Sequence, residues 1–464
     1  MRNTIVRQTA AALLALLALS PALRADELSD LRAALQALEQ KILVLERKQE
    51  LKDEAAAAAK PTIVTAADSR VEIVSGDAQT SLRLRGLVQA DYRWYDAANN
   101  PADTFLLRRA RLIFEGKFNQ LFSYVVQPEL AGTIQILDAY AQATLSPEFS
   151  VRVGKFKTPV GLEQLQSDSV AFFNERSVAT GLAPNRDVGL QIQGDILNKT
   201  VNYTVAVLNG VPDGANNVTG GVDFDADKTY AARLFATPFV NHRDSFFNGL
   251  GVGIGVSSGD YGTVNGRTAG YRTDGQQTFF TYLTNATTAA DNVNAAGKGL
   301  VWSPQGYFYR GPLGILGEYV VSSFDVQRGS LGVREVQNFG YNLSVGYVLT
   351  GEDSTYRGVT PKTVFKPSAG TWGAFELVGR VSGVDVDDTV FNGGTAARLA
   401  NPNVSATKLT ASGLGLNWYL SRSVRANFNF FHNEFDLAPG AVPAANALIA
   451  DDENTFITRL QVSF

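Results

Sequence analysis

The most constraining feature of this 464-residue chain is a set of sixteen segments in which apolar and polar residues alternate. A period of two places successive side chains on opposite faces of a strand, and turn-forming Gly, Asn, Asp or Pro residues flank many of the segments. From about Arg70 onward no helical periodicity competes with this pattern. The sequence therefore predicts an all-β fold with strands at 82–95, 105–118, 121–130, 134–145, 149–157, 187–196, 200–209, 228–237, 249–257, 299–309, 313–325, 335–348, 371–382, 407–420, 423–434 and 454–464.

The connections between these segments alternate in length along the chain. Short connections recur at 119–120, 146–148, 198–199, 311–312 and 421–423, and long ones at 158–186, 210–227, 258–298, 383–406 and 435–453. In an up-and-down meander, alternate connections lie at opposite ends, so one end has tight turns and the other has long loops. Outer-membrane barrels have this asymmetry, and the pattern predicts a 16-stranded antiparallel transmembrane β-barrel. Three connections depart from it: 238–248 and 350–370 are long at the tight end, and 131–133 is short at the loop end.

The last eleven residues, NTFITRLQVSF, keep the two-residue period to the terminal Phe464. Chain ends usually fray, so a terminal strand this regular is expected to pair on both sides. A closed barrel provides that pairing and satisfies every backbone group within a bilayer. The alternative is a soluble β-rich secreted protein, which the length of the strands and the lack of a blade-length repeat disfavour.

The N-terminal region predicts three further units. Residues 1–25 have the charged, apolar and small-residue layout of a secretory signal peptide, cleaved after Ala25 or Ala22, which predicts export. Together with the barrel pattern and the terminal aromatic strand, it predicts a location in the bacterial outer membrane. Residues 26–60 predict a short periplasmic coiled-coil helix, because Leu28, Leu31, Leu35, Leu38, Ile42 and Leu45 alternate three and four residues apart. The alternative is a helix packed on its own domain. Residues 61–81 are predicted to be a linker, and residues 82–464 the barrel.

Composition excludes several classes of function. The chain has no cysteine and only His242 and His432, so disulfides and thiolate or histidine metal sites are disfavoured, and we predict no cofactor and no enzymatic activity. Signal cleavage removes three of 41 basic residues and none of 45 acidic ones, for a net charge near −7. Nucleic-acid binding through bulk charge is therefore not expected. Calcium at the acidic loops 223–227 or 384–388 is left open.

Alternation also predicts which side chains face water inside the barrel. On segment 105–118, Arg109 and Arg111 share the polar parity, and their inward placement avoids about 2–4 kcal/mol for a charge facing lipid at mid-depth. Arg233, Arg380 and Arg459 are assigned to the interior in the same way. Arg108 has the opposite parity to Arg109, so both reach the interior only at a bulge or a loop junction.

Several ordered motifs resemble the phosphate-selective porin O and P family across the barrel. They are GLVQADY (86–92), LRRARLIFEG (107–116), VGKFKTPVGLE (153–163), NERS (174–177), VLTGE (348–352), GLGLNWYL (413–420) and TRLQVSF (458–464). The resemblance implies a trimeric 16-stranded channel whose third extracellular loop, about 158–186 here, folds inward. It also implies that Arg108 and Arg109 form an arginine pair in the constriction, and that Asp138 helps to order the binding site.

The remaining candidate site residues extend or modify this basic constriction. Lys155 and Lys157 precede the inward loop, and Arg176 and Ser167 lie within it. Relatives carry a serine after the position of Ser167, where this chain has Asp168, a carboxylate that would repel an anion. Relatives also have a lysine at the position of Gln164 and an arginine at the position of Leu87. Conversely, Arg111 and Lys157 replace uncharged residues, so the resemblance supports anion preference better than phosphate specificity.

These observations predict passive, anion-preferring diffusion of phosphate or similar small anions through a homotrimer embedded in outer-membrane lipid. One alternative is a general porin, or a porin specific for another solute, with aromatic residues of loop 258–298 forming an entry surface. A packed loop or a trimer contact would explain the same aromatic residues. A third possibility is an enzyme or a coiled-coil tether, although no activated nucleophile is apparent.

Overall fold

The computed structural model describes residues 25–59, 62–65, 71–96, 102–211, 213–217, 226–262, 270–284, 291–445 and 447–464. Helix α1 spans Ala25–Ala59, close to the prediction for 26–60. Its apolar side chains Leu38, Leu43 and Leu45 are each more than half exposed. Association of α1 with other copies stays a prediction, and the proposed signal peptide lies outside the described residues except for Ala25. None of the helices in the described ranges has the length and hydropathy required to cross a bilayer.

The barrel consists of sixteen antiparallel strands, and each of the sixteen predicted segments corresponds to one of them. Two short strands precede the barrel, β1 (Thr62–Thr65) and β2 (Val71–Val74), and two more lie in one loop, β12 (Tyr271–Arg272) and β13 (Thr278–Phe280). The barrel strands are β3 (Thr80–Tyr95), β4 (Thr104–Phe118), β5 (Phe122–Glu129), β6 (Gln135–Ser146), β7 (Phe149–Lys157), β8 (Arg186–Ile196), β9 (Val201–Leu208), β10 (Thr229–Ala236), β11 (Leu250–Tyr261), β14 (Val293–Arg310), β15 (Leu313–Arg328), β16 (Arg334–Val348), β17 (Ala374–Asp385), β18 (Lys408–Tyr419), β19 (Val424–Asp436) and β20 (Glu453–Ser463).

Pairing of β20 with β3 closes the barrel, and the predicted fold class is confirmed. The register runs from Thr455 opposite Tyr95 to Ser463 opposite Leu87. Beyond the strand, the Phe464 N–H donates to the Gly86 carbonyl at 3.1 Å, and the Gly86 N–H donates back at 2.8 Å. The Phe464 ring lies over Gly86 so closely that a Cβ there would stand 2.3 Å from Cζ. The terminal aromatic residue is therefore held by both backbone pairing and ring packing.

Two sequence boundaries need correction. Within the predicted linker 61–81, β2 pairs with β3 from Val71 opposite Leu84 to Val74 opposite Ser81, and β3 itself begins at Thr80. Strand β14 begins at Val293, six residues before its predicted start. Its extension includes Gly297 and the exposed Lys298, which interrupt the apolar alternation from which the prediction was made.

The long connections at the loop end share a buried apolar cluster. Tyr271, Phe279, Phe280 and Tyr282 from connection 262–292 are each no more than 4% exposed, and the Tyr271 and Phe280 rings stack at 5.4 Å between centroids. Other connections contribute Val390, Leu399 and Ile449. These aromatic side chains are covered by protein, so the prediction that they form an entry surface is wrong, and the packed-loop interpretation is confirmed.

Short helical turns occupy parts of the connections. Helix α2 spans Leu162–Leu165 and helix α3 spans Gly394–Ala397. In the described ranges, 3₁₀ turns span Val178–Leu182, Pro367–Ala369, Asp388–Phe391 and Leu448–Ala450.

Candidate channel site

The connection 158–185, between β7 and β8, lies against the inner wall of the barrel. The Asn174 backbone N–H donates to Asn429 Oδ1 at 2.9 Å, and its side-chain amide donates to the Ile457 carbonyl at 3.0 Å. Arg425 donates to the Ala171 carbonyl at 3.0 Å. These wall residues lie on β19 and β20, far along the chain from β7. The connection therefore crosses the interior of the barrel, and we call it the inward segment.

A second anchor of the inward segment lies on β15. The backbone N–H groups of Leu162 and Glu163, at the start of α2, donate to the two carboxylate oxygens of Glu318 at 2.7 and 3.2 Å. The Glu163 carboxylate in turn accepts bonds from the Ser177 N–H and hydroxyl at 2.9 and 2.6 Å. These bonds satisfy buried backbone donors and fix the fold of the segment at both of its helical turns.

A β-bulge brings two adjacent arginines of β4 to the same side of the strand. Arg109 pairs with Gln89, but the next residue of β3, Ala90, pairs with Leu107, so Arg108 has no partner in the ladder. An extra residue of this kind changes the direction of its side chain relative to regular alternation. Arg108 donates to the two carboxylate oxygens of Glu175 at 2.7 and 2.9 Å, and Arg109 donates to Glu175 at 3.4 Å.

Two acids of the inward segment occupy the centre of the arginine cluster. Asp168 forms ion pairs with Arg176 at 2.8 Å, with Arg109 at 3.4 Å and with Arg111. Burial alone raises the pKa of Asp168, but Arg109, Arg176 and Arg111 outweigh burial and hold the pKa well below its usual value. Asp168 therefore carries a full negative charge at any physiological pH.

Glu175 is the second central acid, and four arginines surround it. Besides Arg108 and Arg109, it pairs with Arg459 at 2.8 Å and Arg93 at 3.1 Å. Burial raises the pKa of Glu175, but the coulombic attraction of Arg108, Arg109 and Arg459 holds it well below its usual value. Asp91 and Glu129 complete the network. We call the acid-paired cluster the set Arg93, Arg108, Arg109, Arg111, Arg176, Arg459, Asp91, Glu129, Asp168 and Glu175.

The sequence did not identify the acidic residues of this cluster as site residues. Asp91 accepts two bonds from the fully buried Arg459 at 2.6 and 2.7 Å, and it has the same parity on β3 as Gln89 and Arg93. Its parity could have placed it in the interior. Glu175 lies in the NERS motif, but no periodicity in a loop predicts which acid meets which arginine.

A water-accessible cavity of about 790 Å³ lies beside the inward segment, on the side of the short turns. Its lining includes nine basic side chains, Arg85, Arg111, Arg152, Lys157, Arg186, Arg233, Arg357, Arg422 and Arg425. Among the described residues, the acidic side chains on the same lining are Glu115, Asp138 and Asp168. The lining therefore carries a large excess of positive charge, although the chain as a whole is acidic.

Five of the nine basic residues have no carboxylate within 4.0 Å among the described residues, and we call them the acid-free cations. They are Arg152, Lys157, Arg233, Arg357 and Arg425. Four of them bond to neutral oxygens: Arg152 to Gln142 at 2.8 Å, Lys157 to the Gln166 carbonyl at 2.9 Å, Arg233 to Gln305 at 2.9 Å, and Arg425 to the Ala171 carbonyl. These neutral partners orient the four side chains without forming ion pairs with them.

Arg357 reaches the cavity because the connection 349–373 folds inward from the short-turn end. The Tyr356 hydroxyl donates to the Leu162 carbonyl at 2.7 Å, and Gln166 donates back to the Tyr356 carbonyl at 2.9 Å. The Tyr356 ring also stacks on Tyr307 of β14 at 5.2 Å. This connection is one of the two at the short-turn end that are too long for a simple turn. Through Tyr356 it contacts the inward segment.

The predicted site residues divide between the cavity and the cluster. Arg111, Asp138, Lys157, Ser167 and Arg233 line the cavity. Arg108, Arg109 and Arg176 belong to the acid-paired cluster and are not on the cavity lining. Lys155 instead donates to the Asn217 carbonyl at 2.6 Å. Asp168 pairs with both Arg109 and Arg111, Glu175 also pairs with Arg109, and Glu129 of β5 also pairs with Arg111. The role of these two arginines in the constriction stays a prediction.

Comparison with known proteins identifies what the chain resembles. A family model described as phosphate-selective porin O and P matches residues 82–464. Porin O of Pseudomonas aeruginosa is 25% identical over 433 residues, which cover 87% of this chain and 92% of that protein.

Two solved structures share the fold at lower identity. The outer membrane channel DcaP of Acinetobacter baumannii has a TM-score of 0.51 and 12% identity, covering 83% of this chain and 98% of its own. OmpT of Vibrio cholerae in its trimer form has a TM-score of 0.52 and 11% identity, covering 83% of this chain and 99% of its own.

Proposed function

The chain belongs to the phosphate-selective porin O and P family of bacterial outer-membrane channel proteins, and we propose that it forms a water-filled, anion-preferring channel for the passive uptake of phosphate or similar small anions. The family consists of channels and not of enzymes, so transport follows a concentration gradient with no chemical step. The finer part of the proposal, the preference for anions, depends on the charge of the interior.

The observation that carries this preference is the lining of the cavity. Among the described residues, nine basic side chains and three acidic ones line this cavity. A channel wall of one sign raises the local concentration of counter-ions and repels ions of the same sign. The acid-free cations contribute most to this field because no carboxylate cancels their charge.

The chemistry of the acid-free cations suits fast passage. Arginine stays charged at every physiological pH and offers a planar pair of donors to an oxyanion. Conduction requires several sites of moderate strength instead of one tight site. Arg357, Arg233 and Arg152 are on three different parts of the wall, the connection 349–373, β10 and β7, and they provide such a series of sites.

One observation favours the alternative of a general porin without phosphate selectivity. Asp168 stands among Arg109, Arg111 and Arg176, where an oxyanion would otherwise bind. Loss of that site would leave anion preference intact, because preference depends on the whole lining, but would remove discrimination between phosphate and other small anions.

We also propose that the channel is a homotrimer in the outer membrane. OmpT of Vibrio cholerae, which shares the fold, has a trimer form. The heptad spacing in α1, with its exposed leucines, supports association of three copies. We expect the end of the barrel that carries the short turns and Phe464 to face the periplasm.

Reversal-potential measurement in planar bilayers tests the anion preference. The purified protein is inserted between two potassium chloride solutions of different concentration, and the sign of the zero-current potential gives the preferred ion. We expect the sign of the zero-current potential that results when chloride crosses the channel more readily than potassium. Equal permeability to potassium and chloride would reject the anion preference while leaving the pore itself in place.

A further inference from the structure

Asp168 has the position of a bound anion. Its carboxylate lies 2.8 Å from a guanidinium nitrogen of Arg176 and 3.4 Å from one of Arg109, and it also accepts a hydrogen bond from Arg111. Both Asp168 and Arg111 are on the cavity lining, whereas Arg109 and Arg176 are not. Three guanidinium groups thus converge on one carboxylate at the edge of the cavity.

We propose that Asp168 is a built-in competitor that fills an oxyanion-binding site formed by Arg109, Arg111 and Arg176. The ligand that it displaces is a small oxyanion such as inorganic phosphate, because two or more oxygens on one centre match converging guanidinium donors. This inference rests on the proposed function, the passage of anions through the cavity. With Asp168 in the site, phosphate binds weakly and its transport does not saturate. Removal of the Asp168 carboxylate is expected to create a binding site.

The three arginines are held in place without Asp168. Arg109 donates to Gln89 at 2.7 Å, and Arg111 donates to Glu129 at 2.7 Å. Arg176 donates to the backbone carbonyls of Glu163 and Gln166 at 3.0 and 2.9 Å. Each guanidinium therefore has a second anchor, and the site is expected to keep its geometry when the carboxylate is removed. A preformed site of this kind spends little free energy on ordering side chains when a ligand binds.

The charge balance of the neighbourhood supports the same conclusion. Glu129 neutralises part of Arg111, and Glu175 is shared among four arginines. Without Asp168, Arg176 retains only neutral carbonyl partners among the described residues, and the site gains one uncompensated positive charge. That charge faces the cavity through the space that the carboxylate leaves.

The test measures the block of chloride current by inorganic phosphate in single-channel recordings. The variant Asp168→Ser removes both the charge and most of the side chain. We expect the wild-type channel to show weak block, and Asp168→Ser to reach half-block at about one-tenth of the wild-type phosphate concentration, as expected for one or two new charge-assisted bonds. Adding Arg176→Gln to Asp168→Ser should abolish the gain.

The matched control is Glu115→Gln, which removes one negative charge from the same lining. Glu115 pairs with Arg83 and Arg85, whose side chains are 35% and 39% exposed and therefore hydrated. We expect Glu115→Gln to increase anion preference without tightening the phosphate block. Equal tightening in both variants would overturn the proposal, because it would show a general effect of charge instead of a site.

The wild-type protein provides a test that does not depend on the folding of any variant. Tight, saturable phosphate block of the unmodified channel would overturn the proposal, since the site would then be open with Asp168 present. The wild-type reversal potential separately tests the proposed function. If the wild type prefers cations but Asp168→Ser gains phosphate block, the proposed function is rejected and this inference is kept. If the wild type prefers anions but Asp168→Ser shows no gain in phosphate block, this inference is rejected and the proposed function is kept.

Discussion

Two groups of basic residues inside one barrel differ in their partners more than in their composition. In the acid-paired cluster, six arginines share four carboxylates, and several members, such as Arg459 and Glu175, are nearly inaccessible to water. The acid-free cations on the cavity lining bond to amide and carbonyl oxygens. The first group holds the inward segment against β3, β4 and β20, and the second leaves its charge available to ions.

The difference shows that the number of arginines in a channel does not determine its selectivity. A buried charge requires a partner, because desolvation without compensation costs several kcal/mol. A charge at a hydrated surface needs only to be oriented. The partners of each arginine therefore distinguish those that hold the inward segment from those that can act on ions, and substitutions in the two groups should affect different measurements.

The largest expected effect is loss of stability when Glu175 is replaced. Glu175→Gln leaves four guanidinium groups near one neutral amide, and breaking a buried ion network of this kind costs about 3–5 kcal/mol. Chemical unfolding of the protein in detergent measures the change. The control, Glu335→Gln, alters an exposed carboxylate near the start of β16 and should stay within about 0.5 kcal/mol of the wild type. Similar unfolding of the two variants would show that the cluster does not hold the inward segment.

Arg109→Gln should separate stability from selectivity. The Arg109 side chain is 5% exposed and is not on the cavity lining, and its loss leaves Asp168 and Glu175 each short of one partner. We expect a loss of about 2–3 kcal/mol in the free energy of unfolding. The reversal potential in concentrated salt should not change, because the Debye length is about 3 Å at 1 M. A large shift in reversal potential at this salt would place Arg109 in the ion pathway.

In the part of the chain that the structure describes, Asp213 forms no ion pair with a basic residue, whereas Asp168 pairs with three arginines. Asp213 accepts bonds from the Tyr271 hydroxyl at 2.8 Å and the Ser322 hydroxyl at 2.6 Å, and the described titratable groups that face it are Tyr271 and Tyr282. Burial raises the pKa of Asp213 to about 7. Because the folded-state pKa lies above the unfolded value of 3.8, the contribution of Asp213 to stability is complete below about pH 4 and is lost as the pH rises through 7.

Asp213→Asn should therefore remove this pH dependence. At pH 8 we expect the variant to be more stable than the wild type by about 1–2 kcal/mol, after subtraction of one weakened hydroxyl bond. At pH 4 the advantage should disappear. Unfolding curves at the two pH values measure the difference, and an advantage that does not depend on pH would contradict an uncompensated carboxylate at this place.

The sequence predicted the barrel better than the site, because strand alternation indicates only whether a side chain faces the interior or the exterior of the barrel. Period-two patterning located all sixteen strands and placed Arg109, Arg111 and Arg459 in the interior. It could not predict the bulge at Arg108, since a bulge depends on the register between two strands. It also could not predict that Asp168 and Glu175 meet these arginines, because both acids come from a loop. Arg357 was missed for the same reason.

Arg357→Gln is expected to produce the smallest effect and to complete the comparison. The exposed Arg357 guanidinium makes no hydrogen bond to the described residues, so its loss should leave the free energy of unfolding within about 0.5 kcal/mol of the wild type. The ratio of chloride to potassium permeability should fall about twofold in dilute salt, where screening is weak, and less in concentrated salt. Arg310→Gln is the matched control, because Arg310 is exposed at the same end of the barrel but donates to the Ser245 carbonyl at 2.8 Å and is not on the cavity lining. Equal changes in selectivity for both variants would mean that any positive charge at this end attracts anions. A change confined to Arg357→Gln would assign the preference to the charges that face the cavity.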